Sequence, residues 1–554
     1  MSETAAPRGT PPVPRDDVRW WGWGSPAADS HLDPEALALL RSELGELQPS
    51  TRPADAADVD LPQAQPLPPA LIEAVGADNL SDAAADRVRH AAGKGYVDLV
   101  RLRSGRMEAA PDAIVAPGSA AEIRRVLEIC AREGIAVVPF GGGTSVVGGV
   151  EPLSGDHERL ISLDLVRLRA VEIDRRSLTA TLGAGLRGPE AERELGSAGL
   201  TLGHFPQSFE YATIGGFAAT RSAGQASSGY GRFDQIVTSL RLVAPAAELA
   251  TLETPHSAAG PALRELAIGS EGALGVIPDV TVRVRTAPAR RRYEAWMAES
   301  FAAGAEIVRA LAQAGTLPDV IRVSDEEETR VSLAMSGPSG LARRALDRYL
   351  GLRGRRDGSL MIVGVEGEGE SVARRRALAA RELRTGGAVY LGQGAGRSWA
   401  RGRYRGPYLR DGLLDAGAMV ETLETAHTWT RLGELYAGVG AAIRGALKGQ
   451  GTPGIVFCHI SHAYPDGASL YFTFIARQRQ GDEIEQWRTV KTAACEAIVA
   501  AGGTITHHHA VGRDHAPYMR SEVGESGIEL LRAAKERLDP AGIMNPGKLI
   551  PGGA

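Results

Sequence analysis

The sequence predicts an α+β protein of two large domains, a glycine-rich and strand-rich half followed by an α/β cap. Three observations predict it. Short strand-like runs separated by turn residues dominate residues 111–289. Three loops of small residues interrupt those runs. From residue 290 onward, longer helical segments alternate with strands. The 68 glycines in 554 residues have no collagen-like period and no single low-complexity tract. They ask for turns and for places where backbone must come close to something.

Taken in order, residues 1–18 are Pro-rich and polar and are expected to be a disordered tail. Residues 19–110 form an N-terminal extension. It opens on RWWGWG (19–24), which holds three of the seven tryptophans and reads as a hydrophobic plug pinning the N-terminus. A Pro- and Ala-rich connector covers 52–69. The first domain spans 111–289. Ser119 and Glu122 form a capping box. Ile123, Val126, Leu127 and Cys130 share one helical face, and Gly134 ends the helix. A buried strand from Ile135 runs into the first glycine loop, and further strands are expected near 160–164, 169–174, 178–183 and 280–286. The cap spans 290–502, with helices near 299–315, 370–386 and 483–501 and strands near 359–366 and 468–476. A C-terminal segment, 503–554, carries GTITHHHAVG and a last helix at 525–538.

Composition excludes several classes. The net charge of −5 argues against a nucleic-acid binder. Three scattered cysteines, Cys130, Cys458 and Cys495, fit a reducing compartment and no disulfide framework. The chain has no apolar run of about 18 residues, and its polar start lacks a secretion pattern. A cytoplasmic protein, peripheral to the inner membrane surface at most, is the expectation.

The first loop, PFGGGTSVVGG (139–149), follows a strand. Successive glycines let backbone N–H groups turn toward one point and cradle a pyrophosphate. It is neither a P-loop nor a dinucleotide GxGxxG opening a helix. Alone it reads as a tight turn. A second small-residue loop spans 206–231 and a third 269–277. Three such loops in one domain suit a long ligand lying extended across it.

Together, PFGGGTSVVGG, IGGFAATRSAG, GSEGALGVI and the terminal IMNPGKL, in that order, resemble the flavoprotein family named after vanillyl-alcohol oxidase. The resemblance implies a two-subdomain FAD-binding domain of the vanillyl-alcohol-oxidase/p-cresol-methylhydroxylase type, an α/β cap domain, and a C-terminal segment that returns to the FAD. It implies FAD contacts from Pro139, Gly141, Gly142, Gly143, Thr144 and Ser145 in the first loop. In the second it implies Pro206, Thr213, Gly215, Gly216, Thr220, Ser222, Gly224, Ser228 and Gly229. In the third it implies Gly269, Glu271, Gly272, Val276 and Ile277. No His or Cys lies in 141–149, so non-covalent FAD is expected.

The cap distinguishes branches. Members acting on 2-hydroxyacids carry a metal pattern resembling His-x-Gly-Asp-Gly-Asn-x-His and a later Glu-His-Gly. Here the first region reads HAYPDGASLY (462–471), ending in Tyr471, and the second reads HHHAVG (507–512), with histidine where glutamate would stand. A hard oxygen ligand is lost, so no metal is expected. These departures, with Gly203-His204, IRVSD (321–325), YLRD (408–411) and ASLYFTF (468–474), resemble the alkyldihydroxyacetonephosphate synthase branch. That resemblance implies exchange of the acyl group of acyl-dihydroxyacetone phosphate for a long-chain alcohol, through a flavin N5 adduct without net redox. The rival reading is an FAD-linked oxidase or dehydrogenase of a 2-hydroxyacid or alcohol. The implied partners are those two lipid substrates, peripheral membrane contact and a second copy in a homodimer, with no nucleic acid.

A phosphate-bearing substrate suits an arginine clamp, and the resemblance assigns Arg410 and Arg322 to the substrate, with His204 as a further contact. By composition alone Arg410 sits in the basic stretch 397–410 and reads as solvated. Proton removal from C1 of the substrate needs a base near neutrality or an activated tyrosine. Tyr471, His507, His508 and His509 supply it. On a strand, His507 and His509 would face one way and His508 the other. Alone, Tyr471 in LYFTF reads as core, and three adjacent histidines suggest metal.

Overall fold

The computed structural model describes residues 18–27, 30–50, 52–53, 55–337 and 340–552. Apart from Val18, the expected N-terminal tail lies outside these residues.

The first domain is built on two sheets. A four-stranded sheet has the spatial order Leu80–Ser81, Ala113–Val115, Arg159–Asp164, Ile135–Phe140, its last three strands parallel. The helix Ala120–Glu133 covers it, burying Ile123, Val126, Leu127 and Cys130. Ser119 caps that helix by accepting from Glu122 N, and Gly134 ends it in the left-handed region at φ 61°. The reciprocal bond of the expected capping box is shifted: the Glu122 carboxylate accepts from Gly118 N, one residue before Ser119. A five-stranded antiparallel sheet follows, ordered Val171–Asp174, Thr179–Gly183, Asp279–Arg283, Val237–Val243, Glu248–Ala250.

The glycine loops sit where backbones touch. A Cβ on Gly142 would fall 2.0 Å from the Tyr211 carbonyl oxygen, so the first and second loops pack main chain against main chain. Gly272, at φ 75°, lets the third loop press on Pro139. The C-terminal IMN runs beside the first strand: Val137 N donates to Ile543 O and Asn545 N to Val137 O, each at 2.8 Å.

The cap is one seven-stranded antiparallel sheet. Its strands are β1 (Arg290–Ala298), β2 (Val320–Ser324), β3 (Ser359–Gly367), β4 (Val389–Gly392), β5 (Ala418–Thr428), β6 (Gly454–Ile460) and β7 (Gly467–Arg477), in the order β4-β1-β3-β2-β6-β7-β5. On β7 the two-residue period splits cleanly. Leu470, Phe472 and Phe474 join the large apolar core beneath the helices Trp429–Gly449 and Glu483–Ala500. Tyr471, Thr473 and Ile475 face the other way. That second face is covered by α1 (Pro34–Leu44) of the extension and α2 (Glu326–Ser336), whose Leu40, Leu44 and Val331 pack on Val420, Ile455 and Ile475.

The tryptophan segment pins the N-terminus as expected, though by charge as much as by apolar burial. Trp23 is buried in the main core. Arg19 pairs with Asp411 on α3 (Gly406–Asp415) at 3.2 Å, and Trp23 N donates to the same carboxylate at 2.8 Å. Lys94 donates to the Arg19 and Trp20 carbonyls. Gly22 is required: a Cβ there would lie 2.4 Å from the Asp411 carboxylate, which is fully buried and held by Arg19, Arg103 and Trp23 N. Gly22→Ala is therefore expected to cost about 1–3 kcal/mol through overpacking. Urea unfolding followed by tryptophan fluorescence measures this; a neutral substitution would mean the strap does not bear on Asp411.

Candidate active site

Between the two domains lies a cavity of about 3530 Å³, several times the roughly 300–1,000 Å³ of a small-ligand site. One wall is the glycine loops. Pro139, Gly141, Gly142, Gly143, Thr144 and Ser145 line it from the first loop. Pro206, Thr213, Gly215, Gly216, Thr220 and Ser222 line it from the second, and Glu271, Gly272, Val276 and Ile277 from the third. The first loop has no charged side chain and offers only backbone and two hydroxyls, a donor set that fits a pyrophosphate, and the extended shape fits a dinucleotide with room for a second molecule.

Four expected FAD contacts do not line this wall: Gly224, Ser228, Gly229 and Gly269. Three of them are glycines for the protein's own packing. A Cβ on Gly229 would meet Asp319 of the cap at 2.1 Å, one on Gly224 would meet Phe205 N at 2.6 Å, and Gly269 takes φ 82° against Arg221. Glu271 lines the cavity but is spent on the C-terminal segment, accepting from Val511 N at 2.8 Å and Gly512 N at 2.7 Å. Burial pushes its carboxyl up to about 7, with those two amides opposing.

The opposite wall is one face of the cap sheet, and its ladder forms three rows. Glu424, Tyr471 and His459 pair across β5, β7 and β6. Thr422, Thr473 and Phe457 form the next row, and Val420, Ile475 and Ile455 the third. Rows on one face are about 7 Å apart. Polarity thus falls from a charged row to an aliphatic one over two steps. The aliphatic end continues between α1, through Ala36, Leu39 and Leu40, and Val331 and Met335 of α2.

Arg410, Arg322, Tyr471, His508 and His509 all line the cavity. Arg410 is 7% exposed, which corrects the reading of its basic stretch as solvated. Its guanidinium donates to Lys94 O at 3.1 Å, and its nearest carboxylate, Glu421, stands 3.8 Å away. It is a buried cation whose ion pair among the described residues, with Glu421, is long, and it lines the cavity. Arg322 is more engaged: it donates to Glu328 at 2.7 Å and lies 3.0 Å from both ring nitrogens of His459. Burial would raise the Glu328 carboxyl, but Arg322 and His459 outweigh it and hold it below its ordinary range. Tyr471 stacks on His459 at 4.7 Å and meets His509 edge-on at 5.3 Å. Burial pushes its hydroxyl up to about 12, partly offset by Thr422 and Arg410.

The triple histidine is not on a strand. Residues 503–511 form bends and irregular backbone, and the facing argument based on strand alternation does not apply. The amides of His507, His508 and His509 all point at Glu424 Oε1, at 3.1 Å for His507 and 2.5 Å for His509. His508 and His509 reach the cavity; His507 does not, its Nε2 lying 2.7 Å from the Tyr464 hydroxyl. Burial pushes His509 down to about 3, although Glu424 pulls the other way. Two triads, His462–His507–His508 and Glu424–His508–His509, bring ligand atoms within 4.8 Å of one another.

His204 is also off the wall. It is 1% exposed, packed between Phe217 and Phe233, with Nε2 3.0 Å from Ser222 Oγ. Burial pushes it down to about 3. It supports the second loop from behind rather than facing a substrate. Sequence reasoning missed Glu424, Glu328 and the stacking role of His459. For Glu424 a signal existed: a charged residue inside AMVETLETAHT, a strand otherwise suited to burial.

Comparison with known proteins agrees with this architecture. Residues 111–253 match the FAD binding domain family, and residues 287–549 match the C-terminal domain of FAD linked oxidases. Alkyldihydroxyacetonephosphate synthase of Dictyostelium discoideum is 34% identical over 86% of this chain and 79% of its own length. A solved structure of an alkyldihydroxyacetonephosphate synthase superposes with a TM-score of 0.83 at 29% identity, covering 97% of this chain and 99% of that one. p-Cresol methylhydroxylase, with a TM-score of 0.68 at 16% identity over 86% of this chain and 95% of its own, shares the fold alone. The chain is an FAD-binding flavoenzyme and belongs to the alkyldihydroxyacetonephosphate synthase family.

Proposed function

We propose that this flavoenzyme exchanges the acyl group of acyl-dihydroxyacetone phosphate for a long-chain alcohol. The reaction balances as acyl ester plus alcohol giving alkyl ether, carboxylate and a proton. One observation carries the reading: the cap-sheet face that passes from Glu424–Tyr471–His459 through Thr422–Thr473–Phe457 to Val420–Ile475–Ile455. A ligand with a charged head and a long apolar tail matches that gradient. A small hydroxyacid does not need it.

Arg410 binds the phosphate, since a buried guanidinium without a close carboxylate gains most from a dianion. Arg322, already balanced by Glu328, orients His459 beneath Tyr471 and contributes less to phosphate binding. The ester carbon C1 lies next to a ketone, so its hydrogen is acidic. Tyr471, His508 and His509 handle the proton taken from C1 and the proton lost by the alcohol. Tyr471 stays protonated at neutral pH and serves as a donor. FAD, when bound non-covalently along the glycine loops, supplies covalent catalysis without net redox. Both apolar chains lie between the cap sheet and α1 and α2, which exclude water from the reacting ester. Such substrates arrive from a bilayer, so the proposal includes peripheral contact with the inner membrane surface by a cytoplasmic homodimer. No helix among the described residues is long and apolar enough to cross a membrane.

Three outcomes are expected. Incubation with acyl-dihydroxyacetone phosphate and labelled hexadecanol yields labelled ether, while a panel of D-2-hydroxyacids supplied anaerobically leaves the flavin absorbance unbleached; bleaching with no ether formed would refute the proposal. Arg410→Ala raises KM for the phosphate substrate by about 10–100-fold, from the loss of roughly 1.5–3 kcal/mol for a charged hydrogen bond, with FAD content unchanged. Loss of FAD from this variant would show that Arg410 serves the cofactor. Ala36→Phe on α1 fills the apolar end, so kcat/KM for hexadecanol falls at least about tenfold relative to octanol; equal losses for both alcohols would contradict the tail's path.

A further inference from the structure

Glu424 has the densest set of contacts in the cap wall. It is 1% exposed, on β5 directly across the ladder from Tyr471. Its two oxygens do different work. Oε1 accepts the amides of His507, His508 and His509, with Thr506 Oγ1 at 3.2 Å. Oε2 closes on His508 Nδ1 and lies 3.5 Å from His507 Nδ1.

A ring nitrogen in contact with an ionised carboxylate oxygen must carry its hydrogen, because two lone pairs would repel. His507 Nδ1 also lies 3.0 Å from His508 Nδ1, so the His508 Nδ1–H faces both the Glu424 carboxylate and the His507 lone pair, leaving Nε2 for the cavity that the ring lines. A neutral His508 in this tautomer accepts a proton at Nε2, and the resulting imidazolium sits against a negative charge. Among the described residues His509 has no such partner on its ring, only on its amide. We propose that Glu424 and His508 form a carboxylate–imidazole dyad in which His508 Nε2 is the base and Glu424 the positioning residue that fixes its tautomer. This rests on the proposed function for the identity of the substrate but not for the dyad itself. In the step, the C1–H bond breaks, its proton goes to His508 Nε2, and its electron pair is taken up by the adjacent C2 carbonyl; the proton returns when C1 is reprotonated.

Two independent features agree. Burial would raise the Glu424 carboxyl, yet the three histidines gathered on it outweigh burial and hold the group well below its ordinary range. His509, pushed down to about 3 by burial, is too weak a base to hold a proton near neutrality.

Glu424→Gln separates the two oxygens' roles. The amide oxygen still accepts the three backbone N–H groups, but its NH₂ faces His508 and favours the wrong tautomer. The expected result in FAD-loaded protein is a fall in kcat of about 10²–10⁴-fold with KM within about threefold, as for other carboxylate–imidazole pairs. FAD content and Tm should hold to within about 4 °C of native, whereas Glu424→Ala should also lose Tm. A second readout needs no turnover. Carbethoxylation of His508 at neutral pH, mapped by mass spectrometry, should slow at least about threefold in Glu424→Gln, because the wrong tautomer turns Nε2–H, and not the reactive lone pair, toward the cavity. If native protein makes no ether, the proposed function fails and the labelling result alone judges the dyad. A Gln variant with kcat within threefold of native would overturn it. So would unchanged labelling of His508, or stoichiometric metal held by native protein and lost from the Gln variant.

Discussion

Two buried carboxylates, one from each domain, hold the same six residues of chain. Glu424 of the cap takes the amides of His507, His508 and His509, and Glu271 of the FAD-binding domain takes those of Val511 and Gly512. Five backbone donors in an irregular stretch would otherwise be left without partners in a largely buried place, at about 1–3 kcal/mol each. The reacting groups depend on this stitch. It sets the histidines opposite Tyr471 and fixes how far the cap stands from the glycine loops. Asn545 extends it, donating to Gly149 O and Glu271 O and so tying the terminal IMN to the first and third loops.

With that distance fixed, the cap sheet needs only its two-residue period to build a graded wall. The same strand that buries Leu470, Phe472 and Phe474 in the core presents Tyr471, Thr473 and Ile475 to the cavity. Chemistry and tail recognition therefore share one rigid ladder, and a change of register would move both together. The N-terminal extension closes this arrangement from outside. Its α1 roofs the apolar end, and its tryptophan strap clamps Asp411, the neighbour of the arginine that faces the polar end.

Much of this was legible in the sequence because glycine and alternation have direct physical causes. The glycines at 141–143 and 272 line the cavity where loops meet, since only glycine allows backbones to touch as Gly142 and Tyr211 do. Gly229 and Gly224 stand against Asp319 and Phe205: a glycine required by such a neighbour looks no different in sequence from one required by a ligand. Alternation does not apply to HHH, because the conformation there is set by Glu424, 83 residues earlier in the chain, and not by local preference. Arg410 reads as solvated among other arginines because its partner, the Lys94 carbonyl, lies 316 residues earlier in the chain. His204 looked like a ligand contact by position, yet its aromatic surroundings, visible only in three dimensions, make it a support.

If alcohol replaces acyl at one carbon while the flavin ends as it began, the alcohol oxygen stays in the product. Hexadecanol carrying isotopically heavy oxygen reads this out, with product mass and released fatty acid measured together. The ether is expected to retain the heavy oxygen, with one fatty acid appearing for each ether formed. An ether lacking the label, or product accompanied by stoichiometric flavin reduction, would contradict it.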